Sequence, residues 1–295
     1  MAQPDDQESS NQDIKKPLSA RRKGIYLLPN LMTTAAMFAG FYAIIASIDG
    51  NFEKAAIAIF LAQILDGLDG RLARLTRTES DFGKEFDSLS DMLAFGVAPA
   101  IVVYQWGIAR LVEYGSVWGK LGWLAAFTYC VSAALRLARF NVIADTGSKR
   151  FFKGLPSPPA ASLVASFVWL GTELGWSGGA SLISAFIITA AAGGLMVSNL
   201  DFYSFKEFRS RGQVSFTYIF VVPLTFVLIA LNPPLVLFCL AGTFTLSGPA
   251  LAIWRLLRRS DEPSEETPAD DGGASAGTTS GDSGSSSDGG NTDQS

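Results

Sequence analysis

Long apolar runs separated by short polar turns dominate the middle of the chain. They fall at about 31–48, 52–75, 85–106, 119–139, 158–173, 179–199, 214–231 and 234–257. Runs of this length suit helices that cross a hydrocarbon layer about 30 Å thick. Lipid offers no partner for backbone N–H and C=O groups, so such a run adopts the helix, which satisfies its own. The pattern predicts an all-α integral membrane domain over 18–259 with about eight spans. The second run is the least apolar, because polar groups crowd its C-terminal half. Residues 1–17 are rich in Asp, Gln and Ser, and residues 260–295 in Gly, Ser, Asp and Thr. Neither end has the apolar residues to bury a core, and both are predicted to be disordered tails. Residues 18–29, LSARRKGIYLLP, mix basic and apolar positions. They predict an interfacial segment that Pro29 turns into the bilayer.

Charge then orients the spans. With the N-terminus in the cytoplasm, 20 of the 23 Lys and Arg fall in cytoplasmic segments, leaving Lys54, Arg110 and Lys120 outside. That bias predicts both termini on the cytoplasmic side. The overall net charge of −4 conceals it, since residues 260–295 carry nine acidic groups and residues 1–13 carry four. Without these tails the membrane portion is +9. A basic rim suits anionic lipid headgroups and a nucleotide, although positive-inside placement accounts for most of it. Cys130 and Cys239 lie in separate apolar runs without a CxxC pattern, as packing thiols do. The polar, acidic start lacks the pattern of a cleavable signal peptide. No feature points to nucleic acid as a partner.

One polar stretch interrupts this apolar pattern: Asp66 to Asp91, DGLDGRLARLTRTESDFGKEFDSLSD. The preceding run Ala55 to Leu65 is apolar apart from Gln63, and Met92 to Tyr104 follows. Two helices therefore converge on a polar turn near Thr76 to Phe82. Asp66 and Asp69 are spaced i,i+3 and Asp87 and Asp91 i,i+4, so each pair shares a helix face. An isolated charge at membrane depth costs roughly 2.5–3.5 kcal/mol, and four like charges repel one another as well. A divalent cation resolves both costs. Carboxylates in a chain without histidine suit hard ions, Mn²⁺ or Mg²⁺, rather than the nitrogen-ligated zinc site. Arg74 and Gly83 fit a phosphate-bearing ligand. Gly83 is placed just before the second helix, where backbone N–H groups favour an anion. Asn30 and Thr33, at the mouth of the first span, suit helix capping or contact with that ligand equally.

The stretch resembles the signature of the CDP-alcohol phosphotransferases, D-x2-D-G-x2-A-R-x8-G-x3-D-x3-D. It matches at Asp66, Asp69, Gly70, Ala73, Arg74, Gly83, Asp87 and Asp91. The resemblance implies a homodimer in the plasma (inner) membrane. Each chain would have six core helices around a cavity open to the cytosol, here followed by two C-terminal spans. It implies that Asp66, Asp69 and Asp87 hold the metals. Asp91 would lie at the same metal site and act as the base. It also implies that Gly70, Arg74 and the hydroxyl of Ser80 contact the CDP part of a CDP-diacylglycerol donor.

Five flanking stretches, YLLPNLMTTAAMFAGFYAI, SLSDMLAFGVAPA, ALRLARFNV, FKGLPSPPAA and LMVSNLDFYSFK, resemble the members of the family whose acceptor is L-serine. That likeness runs from about residue 25 to 210. Serine's hydroxyl must lose a proton as it attacks phosphorus, and without histidine a carboxylate is the base available. Metal contact weakens a carboxylate as a base, so Asp91 is expected to be the least metal-engaged of the four. Serine's own carboxylate calls for a cation. Arg136, Arg139 and Lys153, with Asn141 beside them, are the candidates on the correct side. Two alternatives stay open at this point: another acceptor, such as glycerol 3-phosphate or an inositol phosphate, and a cation transporter, since intramembrane carboxylates also mark ion pathways.

Overall fold

The computed structural model describes residues 20–76, 78, 80–145, 154–200, 202 and 217–260. Every long apolar run is a helix, and no strand occurs among the described residues. Helix α1 (Ala20–Ile48) turns at Asp49–Asn51 into α2 (Phe52–Thr76). Gly50 makes that turn with φ +77°, a left-handed setting that costs glycine little. Helix α3 (Asp81–Asp91) runs on through a π-helical turn (Met92–Val97) into α4 (Ala98–Trp106). A 3₁₀ segment (Ile108–Tyr114) leads to α5 (Ser116–Asp145). Helices α6 (Ser157–Glu173), α7 (Gly179–Val197), α8 (Thr217–Leu231) and α9 (Pro233–Ser260) complete the bundle.

Small residues set the spacing. Ala39, Ala43 and Ala46 of α1 and Ala55, Ala58 and Ala62 of α2 are all buried, and these two helices pack along their length. A side chain on Gly40 would meet the Ala94 Cα at 2.8 Å, so α1 also lies directly against the π-helical turn. In lipid, where apolar burial drives association weakly, such close backbone approach is a main source of helix–helix contact. Gln63 of α2 donates to the Ser162 hydroxyl at 2.8 Å and to the Pro158 carbonyl, tying α2 to α6. Helix α9 packs on α6, with Phe238 against Phe167 at 5.9 Å between ring centroids. Helix α8 packs against α9.

Five helical stretches are long and apolar enough to cross a membrane: Leu28–Ile48, Asp81–Tyr114, Ser116–Val142, Gly179–Val197 and Pro233–Trp254. The expected count of eight is therefore only partly met, for identifiable reasons. Helix α2 carries Glu53, Lys54, Asp66, Asp69, Arg71 and Arg74. Helices α6 and α8 have 17 and 15 residues, a rise of about 26 Å and 23 Å. Pro29 also behaves differently from expectation. It does not end an interfacial segment, because α1 continues through it as one helix. A proline removes one backbone donor, and membrane helices tolerate that loss where neighbours pack around it; Pro29 is buried. The tails expected to be disordered lie outside the described residues, apart from Ser260, which ends α9.

Candidate active site at one end of the bundle

The C-terminal half of α2 and the N-terminal half of the α3–α4 helix meet at one end of the bundle. There they bring together the four aspartates that the spacing singled out. One carboxylate oxygen from each of Asp66, Asp69 and Asp87 lies within 4.8 Å of the others. Asp91 stands outside that trio, with its carboxyl in hydrogen-bonding range of Asp66. The oxygens suit a hard divalent cation by number and type. A second observation supports the fit: Asp87 Oδ1 is buried with no hydrogen-bond partner. A buried carboxylate oxygen without a partner carries the full desolvation penalty, and a cation among these three groups removes it.

Uncharged residues hold the trio in place. The Thr33 hydroxyl of α1 lies 2.8 Å from Asp69 Oδ2 and 3.2 Å from its own helix carbonyl at Pro29. Its single proton serves the carboxylate, the shorter and charged contact. Thr33 is therefore inside α1 and bonded to the aspartate; it caps nothing, since the helix begins at Ala20. Ser90 of α3 donates to the Thr33 carbonyl at 3.1 Å, which locks α1, α2 and α3 around the site. Asn30, one turn earlier, reaches toward α3: a Cβ on Gly83 would stand 3.5 Å from Asn30 Oδ1.

The turn between the two carboxylate pairs differs from expectation. Ser80 caps α3, its Oγ accepting the Gly83 N–H at 3.0 Å. Gly83 therefore lies within the first turn of α3, and its N–H is already bonded. Its missing side chain makes room for the cap, since a Cβ there would come within 3.1 Å of Ser80 Oγ. Arg74 is exposed and folds back so that its Nε donates to the Gly70 carbonyl at 2.8 Å.

A second polar group is linked to Asp91 through Arg136. Arg136 of α5 interacts electrostatically with Asp91 and donates from Nη1 to the Ser157 hydroxyl at the start of α6, at 2.8 Å. Arg139 points elsewhere and meets Asn199 Oδ1 at 3.2 Å, just beyond α7. Asn141 lies inside α5, which runs on to Asp145, and donates to Ser88 Oγ at 3.0 Å. Lys153 lies outside the described residues. Gly154 clamps the entry to α6: with φ +91°, its N–H donates to the Leu200 carbonyl at 2.8 Å, and Leu155 N–H donates to the Leu195 carbonyl at 2.9 Å. The spacing reading missed Ser88, Ser90 and Asn199. Ser88 and Ser90 sit between the aspartates in the sequence, so a helical wheel of α3 is the signal that exposes them. Asn199 carries no such signal.

Among the described residues, Asp69 is the only fully buried charged side chain, and Asp49, Glu53, Asp81, Glu85, Glu113 and Glu173 are exposed. No acidic relay crosses the bundle through these residues. The bundle and its site thus define an integral membrane protein with a carboxylate centre suited to hard divalent cations.

The family follows from comparison. Residues 26–197 match the family described as CDP-alcohol phosphatidyltransferase, and the chain belongs to that family. It is 37% identical over 205 residues to the CDP-diacylglycerol–serine O-phosphatidyltransferase of Helicobacter pylori, covering 69% of this chain and 83% of that one. It is 37% identical over 174 residues to the enzyme of the same name from Mycobacterium tuberculosis, covering 56% and 58%. An archaetidylserine synthase of Methanothermobacter thermautotrophicus is 37% identical over 177 residues, covering 59% and 69%.

Proposed function

We propose that the protein transfers the phosphatidyl group of CDP-diacylglycerol to the hydroxyl of L-serine, giving phosphatidylserine and CMP. The likeness to relatives named for that reaction, over most of their length, carries the choice of acceptor. The cluster of Asp66, Asp69 and Asp87 supports the chemistry. These three would hold Mn²⁺ or Mg²⁺, which when bound neutralises the diphosphate and makes CMP a better leaving group.

The chain's own residues do the rest. Gly70, Arg74, Ser80 and Gly83, with Asn30 and Thr33 behind them, border the space for the CDP group. Arg74 supplies its positive charge from the open side. Arg136, held by Ser157, offers a planar cation to the serine carboxylate, next to Asp91. Arg139, Asn141 and Lys153 are the further candidates for that pocket; the bonds to Asn199 and Ser88 give Arg139 and Asn141 a bracing role beside it. Asp91, outside the trio, takes the hydroxyl proton as serine's oxygen bonds to the phosphatidyl phosphorus. The bond from that phosphorus to the oxygen bridging to CMP breaks, and CMP leaves with the electron pair. Transfer of this kind depends mainly on positioning and charge neutralisation. The protein would work as a homodimer in the plasma (inner) membrane, with the site and both termini toward the cytoplasm, where CDP-activated lipid and free serine meet.

The test is reconstitution. Purified protein in lipid vesicles, given CDP-diacylglycerol, L-serine and Mn²⁺ or Mg²⁺, is expected to release CMP and phosphatidylserine in equal amounts. In a mixture with glycerol 3-phosphate and inositol phosphate, serine should be the acceptor consumed. Product formed from one of the competitors instead would keep the chemistry and overturn the acceptor. No lipid product from any of them would overturn both.

A further inference from the structure

Asp87 and Asp91 lie immediately before the only π-helical turn among the described residues, Met92–Val97. Its end is marked by the Ala98 N–H, which bonds five residues back to the Leu93 carbonyl. One extra residue in a helix shifts the phase of the two flanking segments by on the order of 100°. The shift matters here. In an unbroken α-helix Asp91, Ala98 and Val102 would share a face, being spaced by seven and four residues. Ala98 and Val102 are 0% exposed in the apolar core. The π-helical turn lets the segment below bury its apolar face while the aspartates above it face the polar cluster.

Helix α5 reads that turn with one stripe of side chains. Tyr129 is 0% exposed, and its hydroxyl donates to the Phe95 carbonyl inside the turn at 3.1 Å. One helical turn on, Ala133 lies against Gly96, where an added Cβ would stand 3.1 Å from that of Ala133. Arg136, three residues further on the same face, donates to Ser157 and interacts electrostatically with Asp91. Gly193 lets α7 press on the backbone of α5 from behind, since a Cβ there would be 3.1 Å from the Tyr129 Cα. The tyrosine is thus held from both sides and delivers one buried polar atom, its hydroxyl, to the turn.

We propose that Tyr129 is a positioning residue for the transfer: by holding the Phe95 carbonyl, its hydroxyl fixes the rotational setting at which Asp87 and Asp91 meet Asp66 and Asp69. The proposal rests on the function given above, but its main readout does not. Mn²⁺ binding, followed by electron paramagnetic resonance on full-length protein in nanodiscs, reports the carboxylate geometry without turnover.

Tyr129→Phe removes the hydroxyl alone. It is expected to weaken Mn²⁺ binding at least 5-fold and to lower kcat at least 10-fold, with KM for serine and CDP-diacylglycerol within about 3-fold of wild type. Thr189→Val is the control. Thr189 is equally buried, but its hydroxyl bonds within its own helix, to the Ala185 carbonyl at 2.7 Å. It should leave Mn²⁺ binding and kcat unchanged. Gly96→Ala perturbs the same turn from the packing side and should reproduce the loss of Mn²⁺ affinity. Should Tyr129→Phe fail to fold, wild-type Mn²⁺ affinity in Gly96→Ala overturns the proposal, since the setting of the turn would then not govern the carboxylates. Wild-type Mn²⁺ affinity in the folded variant, or an equal loss in Thr189→Val, overturns the proposal. Wild-type protein that binds Mn²⁺ but makes no lipid would remove the proposed function and leave the Tyr129 comparison standing.

Discussion

Replacing Thr33 by valine tests the site at a residue that carries no charge. The change keeps the β-branched shape, and with it the packing of a side chain only 4% exposed. It deletes the hydroxyl that lies 2.8 Å from Asp69 Oδ2. The Pro29 carbonyl keeps its place in the helix ladder, so the loss falls on the carboxylate. A hydrogen bond to a charged group contributes about 1.5–3 kcal/mol. If about 2 kcal/mol of that is felt only when Asp69 is ionised and holding a cation, metal affinity falls about 30-fold. This lies inside the 10–100-fold range seen when a residue orienting a metal ligand is lost. The assay is a Mn²⁺ titration of both activity and binding. Thr33→Val should shift the half-saturating concentration about 30-fold upward, with kcat recovered at high Mn²⁺. Thr33→Ser, which restores the hydroxyl, should return most of the affinity. An unchanged Mn²⁺ dependence would refute the reasoning. A raised KM for CDP-diacylglycerol at unchanged Mn²⁺ affinity would refute it too, since Thr33 would then serve the nucleotide.

Asp91→Asn should abolish turnover, by at least 10³-fold on the scale of general-base catalysis, while binding of CDP measured by calorimetry stays within a few-fold. Arg136→Lys keeps the charge but loses the planar fork; KM for serine should rise at least 10-fold and KM for CDP-diacylglycerol stay constant. Gly154→Ala forces a side chain into a left-handed conformation, φ +91°, with the new Cβ against the Met196 carbonyl and 3.0 Å from that of Ser198. Strain of about 1–3 kcal/mol plus that overlap should lower Tm by on the order of 5–10 °C, read by thermal unfolding in detergent. Removal of divalent ions with EDTA should stop the reaction, and Mn²⁺ or Mg²⁺ should restore it.

Helix positions were legible from hydropathy because each apolar run has one self-satisfying form in lipid. The expected run 52–75 is α2 at Phe52–Thr76, and 158–173 is α6 at Ser157–Glu173. The aspartates were legible because four like charges at fixed spacing in an apolar chain have few uses. What stayed hidden depends on contacts between distant segments. Nothing local in Thr33 announces Asp69, 36 residues away. Pro29 does not break α1, because a proline's helix propensity omits the packing around this buried residue that lets the helix continue through it. Gly83 falls inside the helix and not before it because Ser80, three residues earlier, caps α3: the helix begins at Asp81 and the Ser80 hydroxyl takes up the Gly83 N–H. The π-helical turn has no compositional mark in MLAFGV. It follows from two faces of one helix making incompatible demands, which only the packed bundle reveals.

Those demands explain why so much of the site is built from glycine, alanine and hydroxyl residues. Carboxylates whose oxygens stand within 4.8 Å across two helices need backbones held close and rotations held fixed. A larger residue at Gly40 would push α1 off the π-helical turn at Ala94, and Thr33 would leave Asp69 with it. The Ser90–Thr33 and Asn141–Ser88 bonds then add α1 and α5 to the same frame, one on each side of α3. Four of the bundle's helices thus meet at the aspartates through uncharged contacts. The charged groups are left to face the cation and the diphosphate, where their electrostatic work is needed. The placement of the carboxylates is on this account a property of helix packing, and substitutions remote from any charge should move metal affinity before they move overall stability.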